Sequence, residues 1–289
     1  MIRLRLLGYK GYFVLSNIIK YSEYISDVVI GRDKNVQNDY YEEIKQQCIE
    51  NRISFYDRTK EPKCEATYSV SIGWRWLSYD SNASIIVFHD SLLPKYRGFN
   101  PLVTALINGD EFIGVTCLLG SGEYDTGDII AQQKIRIEYP AKIKTVIENI
   151  SPLYLELMIL FLEKIKNKKS IETKRQDERL ATYSLWRDES DYFIDWEWSS
   201  EKIKRHIDAV GYPYTWAKTK LNNQVLIIKD ASVVKDVNIE NRVAGKVLFK
   251  NKNGLTIVCG EGLLLVKDFY TSDNDCYDYQ NQFRLKFHK

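Results

Sequence analysis

The chain has 289 residues, of which 44% are apolar and 28% charged, and its formal net charge is +2. This length is enough for two domains, or one large domain, with a sizeable core. The near-neutral charge makes no case for a nucleic-acid or membrane partner. The five cysteines contain no CxxC pair, so reduced thiols and a cytoplasmic location are expected. Neither a signal peptide nor a run of transmembrane length is predicted.

The first half of the chain alternates strand-like and helix-like segments. This alternation predicts a Rossmann-like α/β fold, with a mostly parallel sheet and helices on both faces. Ligands of such folds bind beyond the carboxyl ends of the strands. The predicted strands are 4–8, 26–31, 53–56, 67–73, 84–89, 112–119 and 128–137, and the predicted helices are 13–25, 40–52, 100–110 and 151–169.

The pattern changes after about residue 170, where a polar connector precedes one helix at 201–210. Five short strands with turn signals between them then predict a small β-barrel of OB type, at 215–221, 224–231, 244–250, 255–260 and 261–269. The last residues show no clear pattern. We therefore predict a first domain over 1–182 and a second over 183–289.

A histidine and an acidic loop stand out in the first domain. His89 ends the strand SIIVFH and is followed by the basic turn KYRG, and the loop GSGEYDTGD carries Asp125 and Asp128. A strand-end histidine and a loop aspartate can meet across a crevice, where the carboxylate fixes the imidazole tautomer and raises its basicity. The alternative is a purely structural histidine beside an ordinary acidic turn.

The run from Phe88 to Gln133 closely resembles the core of the formyltetrahydrofolate-dependent formyltransferases. Their signature NxHxSLLPxxRG, followed by GVT and DTGD, is matched here in order, except at its first position. His89 and Asp125 are 36 positions apart, a separation typical of that family. Residues 175–220 are similar to the junction and second domain of two-domain members, so the resemblance covers nearly the whole chain and implies the same fold.

One position departs from the family pattern. The family's catalytic trio is Asn, His and Asp, with the Asn two residues before the His, and here that position is Val87. Loss of one donor to an oxyanion can cost roughly 3–4 kcal/mol of transition-state stabilisation. Asn100 is a candidate substitute donor. The alternative is that Asn100 only caps the helix that Pro101 opens.

The resemblance implies transfer of a formyl group from N10-formyltetrahydrofolate to an amine. His89 would hydrogen-bond the developing oxyanion or take the amine proton, and Asp125 would orient His89. The pterin of the donor would lie near Arg75, Trp76 and Leu77 and near the loop Gly122, Glu123 and Tyr124. Core packing is the alternative role for Trp76. No metal site is predicted.

The acceptor implied by the resemblance is the amine of a nucleotide-linked amino sugar, for surface polysaccharide synthesis. Lys10, Arg97, Trp186 and Arg187 are candidate contacts to it, although each can also be structural. Residues 201–289 carry 15 Lys and Arg against 10 Asp and Glu, a net of +5, which is mild for a tRNA enzyme. The alternatives are a methionyl-tRNA formyltransferase and an inactive folate-binding homologue. No nucleic-acid or membrane partner is favoured, and a homodimer is allowed.

Overall fold

The computed structural model describes residues 1–77 and 82–289, which form two compact units. The first unit comprises 1–102, 111–137 and 145–186, and the second comprises 103–110, 138–144 and 187–289. Two short segments from the first half of the chain thus belong to the second unit. Arg205 Nε donates to the carbonyl of Ile107 at 3.0 Å, and Lys142 lies 3.6 Å from Asp230, so both segments are held there.

A seven-stranded sheet forms the centre of the first unit. Its order is β3-β2-β1-β4-β5-β7-β8; the first five strands are parallel, and β7 and β8 are antiparallel. The short strands β6 and β9 pair separately. The strands are β1 (Ile2–Leu6), β2 (Ile25–Ile30), β3 (Phe55–Asp57), β4 (Tyr68–Ile72), β5 (Ser84–His89), β6 (Arg97–Gly98), β7 (Phe112–Leu119), β8 (Ile129–Arg136) and β9 (Tyr183–Ser184).

One face of this sheet is polar even though it is buried. Side chains alternate along a strand, so Arg5 of β1 points away from the face that buries Leu4 and Leu6. In the register of the sheet Arg5 lies beside Ser71 of β4, which in turn lies beside Val87 of β5. Val87 and His89 are two residues apart and therefore share this face, which fixes the direction in which the strand end presents its side chains.

The helices of the first half are α1 (Gly8–Asn17), α2 (Tyr41–Glu50), α3 (Pro101–Asn108) and α4 (Ile143–Lys166). Two of them, α1 and α4, differ from prediction. Helix α1 starts before the predicted residue 13, and a 3₁₀ segment, Ile19–Tyr24, replaces its predicted end. Helix α4 starts eight residues before the predicted Ser151, and Pro152 lies inside it. Buried residues at helical spacing, such as Ile143, Ile147 and Ile150, outweigh the helix-breaking tendency of the proline.

Helix α4 is also relevant to the expectation that no run reaches transmembrane length. The expectation was that no segment is long and apolar enough to cross a membrane. By length and composition the 24 residues of α4 could do so. However, 56% of its apolar window is buried inside the structure, which is also found in core helices of soluble proteins.

The second unit contains one helix and two small antiparallel sheets. Helix α5 (Ser200–Ala209) precedes a sheet of order β11-β10-β16 and a sheet of order β12-β15-β14-β13. A bridge between Lys246 and Lys286 joins the two sheets. The strands are β10 (Ala217–Leu221), β11 (Gln224–Ile228), β12 (Ser232–Val234), β13 (Val247–Asn251), β14 (Gly254–Val258), β15 (Leu263–Val266) and β16 (Phe287–His288).

The predicted fold class is confirmed: a mostly parallel α/β sheet is followed by a smaller β domain. All five predicted strands of the second domain are present, but β12 and β16 were not predicted. Strand β16 lies in the segment without a clear pattern. It forms because Phe287 stacks on Phe269, with ring centroids 4.9 Å apart, and pairs with Leu221.

Candidate active site

His89 is a buried residue whose imidazole lies between two oxygen atoms. Its Nε2 is 2.8 Å from the carbonyl oxygen of Tyr96, so this nitrogen carries a proton and donates it. Its Nδ1 is 3.4 Å from Oδ2 of Asp125. That second distance exceeds an ordinary N–H···O hydrogen bond, so Nδ1 is the less firmly held nitrogen. The structure thus brings together the two residues that the sequence predicts as a pair.

Asp125 reaches His89 because the loop between β7 and β8 is tightly constrained. Asp125 has a positive φ of 55°, and its Oδ2 accepts the backbone N–H of Gly98 at 2.9 Å. Gly127 closes the loop against β7: a Cβ built there would lie 1.8 Å from the carbonyl oxygen of Leu119. Only glycine fits at that position, which explains the DTGD spacing.

Gln176 holds the same loop from outside the motif. Its Nε2 donates to the carbonyl oxygens of Asp125 at 2.8 Å and Gly127 at 2.7 Å. Its Oε1 accepts from Nε and Nη2 of Arg97 at 3.1 and 2.8 Å. Sequence reasoning did not identify Gln176, because it lies in a polar connector and no local pattern marks it.

Arg97 was predicted to bind substrate, and this role stays a prediction. Its side chain is 1% exposed, and its guanidinium is bound by Gln176 and by both carboxylate oxygens of Glu178, at 2.7 and 2.8 Å. A buried guanidinium needs such partners. Arg97 therefore supports the Asp125 loop through Gln176.

Thr116 of the GVT motif secures the turn that follows His89. Its hydroxyl donates to the carbonyl oxygen of Ser91 at 2.6 Å and accepts the N–H of Leu93 at 3.1 Å. Gln132 of β8 donates to the same hydroxyl at 2.8 Å. The Ser-Leu-Leu-Pro segment is thereby fixed to the antiparallel strands, so this motif residue is structural.

Val87 stands on the sheet face of His89, one strand pleat away, and is half-buried. Its neighbour in the register, Ser71, has a buried hydroxyl that meets no hydrogen-bond partner within residues 1–77 and 82–289. Asn100 directly precedes α3 and has a positive φ of 48°, a conformation that asparagine tolerates. Its position suits a helix start, and its proposed role as donor stays a prediction.

Lys10 was predicted to contact substrate, but its ammonium forms an ion pair with Asp90. Tyr154 of α4 donates to the other oxygen of this carboxylate. Burial acts to raise the Asp90 pKa, but Lys10, Tyr154 and His89 together hold that pKa below its ordinary value. Lys10 is 15% exposed and already paired, and its contact with substrate stays a prediction.

The predicted pterin contacts lie on two loops. Arg75 is 42% exposed and pairs with Asp33, Leu77 is exposed, and Arg58 covers the half-buried ring of Trp76 at 4.2 Å. Gly122, Glu123 and Tyr124 are exposed, and the Tyr124 ring lies 5.2 Å from that of Phe99. Their role in binding the donor stays a prediction.

Trp186 and Arg187 fall at the change of unit. Trp186 is 63% exposed and ends the first unit, whereas Arg187 begins the second and is half-buried. No group of three or more His, Cys, Asp or Glu side chains suited to a metal ion occurs in the described ranges.

Residues 64–160 match the model of the family described as Formyl transferase, and 188–284 match Formyl transferase, C-terminal domain. The chain is 31% identical to a methionyl-tRNA formyltransferase of Caldanaerobacter subterraneus, over 77% of this chain and 72% of that protein. It is 30% identical to one from Borrelia hermsii, over 67% of this chain but only 62% of that protein.

Among solved structures, the fold is similar to that of an N-formyltransferase from Helicobacter canadensis in complex with folinic acid and dTDP-3-aminofucose. The TM-score is 0.71 at 17% identity, and the match covers 93% of this chain and 99% of that chain.

Proposed function

The chain belongs to the formyltransferase family, and from this premise we propose that it transfers a formyl group from N10-formyltetrahydrofolate to the amine of a nucleotide-linked amino sugar. The observation that carries this proposal is the pair of His89 and Asp125, 3.4 Å apart at the end of β5. The donor is proposed because the Helicobacter canadensis structure is described in complex with folinic acid, and because the site motif is that of the family except at Val87.

His89 acts through Nδ1 in this proposal. Nε2 is committed to the carbonyl oxygen of Tyr96, whereas Nδ1 is held only loosely by Asp125. A protonated Nδ1 can donate to the oxygen of the formyl group as it gains negative charge. Asp125 keeps the ring in place, because its Oδ2 lies 3.4 Å from Nδ1 and is itself held by the N–H of Gly98.

The reaction forms one bond and breaks one. The neutral amine attacks the formyl carbon, the carbon becomes tetrahedral, and the bond between the carbon and N10 then breaks. The amine loses a proton, N10 gains one, and the products are the formamide and tetrahydrofolate. His89 and Asp125 are the groups at this site that can pass that proton.

A nucleotide-linked amino sugar is favoured as acceptor because the structural match covers nearly all of a chain described in complex with dTDP-3-aminofucose. Methionyl-tRNA is the second candidate, since the relatives at 30 and 31% identity carry that name. The chain matches only about six tenths of the length of several of them, 58 to 62%. That partial match weakens the case for the same acceptor.

The test is a transfer assay with N10-formyltetrahydrofolate against a panel of nucleotide-linked amino sugars and methionyl-tRNA. We expect formamide from at least one amino sugar, and loss of at least about a hundredfold in kcat in His89→Ala, the size of a general acid–base contribution. His288→Ala is the matched control, because His288 is an exposed histidine of the second unit.

Two results would overturn the proposal. Transfer only to methionyl-tRNA would assign the second candidate. Donor binding without transfer to any acceptor would assign an inactive folate-binding homologue, as the valine at position 87 allows.

A cytoplasmic location is part of the proposal and is checked by cell fractionation. The allowed homodimer is checked by analytical ultracentrifugation.

A further inference from the structure

Three polar atoms in the second unit are buried without a hydrogen-bond partner. They are Nε of Arg187, Nδ1 of His206 and Oγ1 of Thr215, and within the described part of the chain Ser71 alone joins them in this condition. Buried polar atoms are nearly always paired, so each unpaired one calls for an explanation. Three in one unit indicate a group that binds there.

Arg187 is the strongest of the three. It is half-buried, and burial lowers its pKa. The acidic residue with the largest effect on it, Asp191, accepts the N–H of Asp188 at 2.9 Å and closes a helix cap. Of the carboxylates in residues 1–77 and 82–289, none forms an ion pair with Arg187. A partly desolvated guanidinium without a carboxylate is costly unless an anion joins it.

His206 of α5 is the second of the three, and the charge of Arg187 acts on it. It is fully buried, its Nε2 donates to the carbonyl oxygen of Tyr192 at 3.3 Å, and its ring meets the edge of Trp198. Burial, with a further contribution from the Arg187 charge, lowers the His206 pKa to about 4. At neutral pH the ring is therefore uncharged, and since Nε2 holds the proton, Nδ1 can only accept a hydrogen bond.

Thr215 supplies a hydroxyl next to Tyr214, one of the residues whose charge acts on Arg187. The turn that carries it is anchored on α5: Tyr214 N–H donates to the carbonyl oxygen of Gly211 at 2.9 Å, and Trp216 N–H donates to that of Val210 at 2.9 Å. Thr215 as a whole residue is half-buried, whereas its Oγ1 is buried.

We propose that Arg187, Thr215 and His206 form a binding site for the phosphate group of a hydroxylated ligand. Arg187 and Thr215 donate to phosphate oxygens, and Nδ1 of His206 accepts from a hydroxyl, either of a protonated phosphate or of an adjacent sugar. A carboxylate fits less well, because at neutral pH it has no proton to donate to Nδ1. Its oxygen atoms would instead face the lone pair of that nitrogen. Planar guanidinium groups are well suited to phosphate.

This site deepens the proposed function, since a nucleotide-linked sugar carries both phosphate and hydroxyl groups, but its test does not need formyl transfer. The full-length protein is titrated with inorganic phosphate, with uridine diphosphate and with acetate, at constant ionic strength. Binding is measured by calorimetry, and the His206 ring nitrogens are followed by NMR. The chain has only three histidines, which makes the His206 signals assignable.

We expect saturable phosphate binding that shifts the His206 Nδ1 resonance and leaves His288 unchanged. Arg187→Gln should raise Kd at least about tenfold, because it removes a hydrogen bond from a charged group. Thr215→Val should raise Kd about threefold, because it removes a hydrogen bond from a neutral hydroxyl. Arg284→Gln, which removes an exposed charge from the same unit, should bind like the wild type. A tighter Kd for uridine diphosphate would identify a nucleotide as the source, and an equal Kd would identify free phosphate.

The proposal is wrong if Arg187→Gln and Arg284→Gln weaken binding equally, or if acetate competes as well as phosphate. It is also wrong if phosphate leaves the His206 resonance unmoved. Should Arg187→Gln fail to fold, the conservative Arg187→Lys and Thr215→Val variants carry the test. Phosphate binding without any formyl transfer would leave this site standing and count against the proposed function alone.

Discussion

At the residue scale, the site depends on which nitrogen of His89 is free to act. Nε2–H donates a hydrogen bond to the carbonyl oxygen of Tyr96 at 2.8 Å, so only Nδ1, at 3.4 Å from Asp125, can change its partner during a reaction. The aspartate itself is anchored by the N–H of Gly98. The histidine is therefore held by a backbone carbonyl at Nε2 and by the carboxylate of Asp125 at Nδ1.

Asp125→Asn should lower kcat by at least about a hundredfold, because the amide keeps the size but loses the charge that supports a protonated ring. Asp128→Asn is the matched control from the same loop. Its backbone carbonyl, which the substitution preserves, bonds Leu119 N–H at 2.9 Å. Steady-state kinetics of both variants decide the point, and similar losses in the two would contradict a special role for Asp125.

Val87→Asn should raise kcat by about tenfold or more, because the new amide lies on the face of His89 and can donate to the oxyanion only in the transition state. The unpartnered hydroxyl of Ser71 beside it can anchor the amide.

In the reciprocal variant, Asn100→Ala, a tenfold fall in kcat with unchanged KM would identify a substitute donor. A lower Tm with unchanged kcat would identify a helix cap instead.

At the scale of elements, the loop between β7 and β8 is held by a segment far away in the chain. Gln176 bonds the carbonyls of Asp125 and Gly127 on one side and Arg97 on the other. The β6–β9 pairing brings the two segments together, with Arg97 opposite Tyr183. The connector after α4 is therefore part of the framework of the site.

Gln176→Ala should lower both Tm and kcat, the latter by at least about tenfold, because two buried carbonyls lose their donor at about 1–3 kcal/mol each. Glu178→Ala is the control, since it removes the other partner of Arg97 but leaves both loop carbonyls bonded. If Glu178→Ala lowers kcat as much as Gln176→Ala, the anchoring of the loop is not what matters.

At the scale of the whole molecule, acid stability depends on buried ionisable groups in each unit. His206 has a folded pKa of about 4, below the unfolded value near 6.5, so the unfolded chain binds more protons between these values. Stability from His206 is therefore complete above pH 6.5 and is lost as pH falls toward 4. The depressed pKa of Asp90 acts in the same direction, below its ordinary value.

Urea unfolding at pH 7, 6 and 5 should show the free energy of unfolding falling by up to about 1.4 kcal/mol per pH unit from His206. His206→Phe keeps an aromatic ring against Trp198 and should flatten this dependence. His288→Phe, at an exposed position, should leave the slope of the wild type. Equal slopes in all three proteins would mean that His206 does not remain neutral in the folded state.

Hydrophobic periodicity and contiguous motifs are local signals, so the fold class, the alternation of elements in the first half and the pair of His89 and Asp125 could be predicted from the sequence. The sequence did not determine the start of α4 or the strand β16, since in both cases burial against distant residues overrides a weak or contrary local pattern. Pro152 inside a helix and Phe287 stacked on Phe269 show this directly.

Only the tertiary structure decided what the charged candidates do. In the sequence Arg97, Lys10 and Arg187 look alike, but the fold gives the first two carboxylate partners, Glu178 and Asp90, and gives the third none within the described residues. A charge brought out of water must find an opposite charge or a ligand. Which of these it finds depends on contacts between residues far apart in the chain, and no local pattern records them.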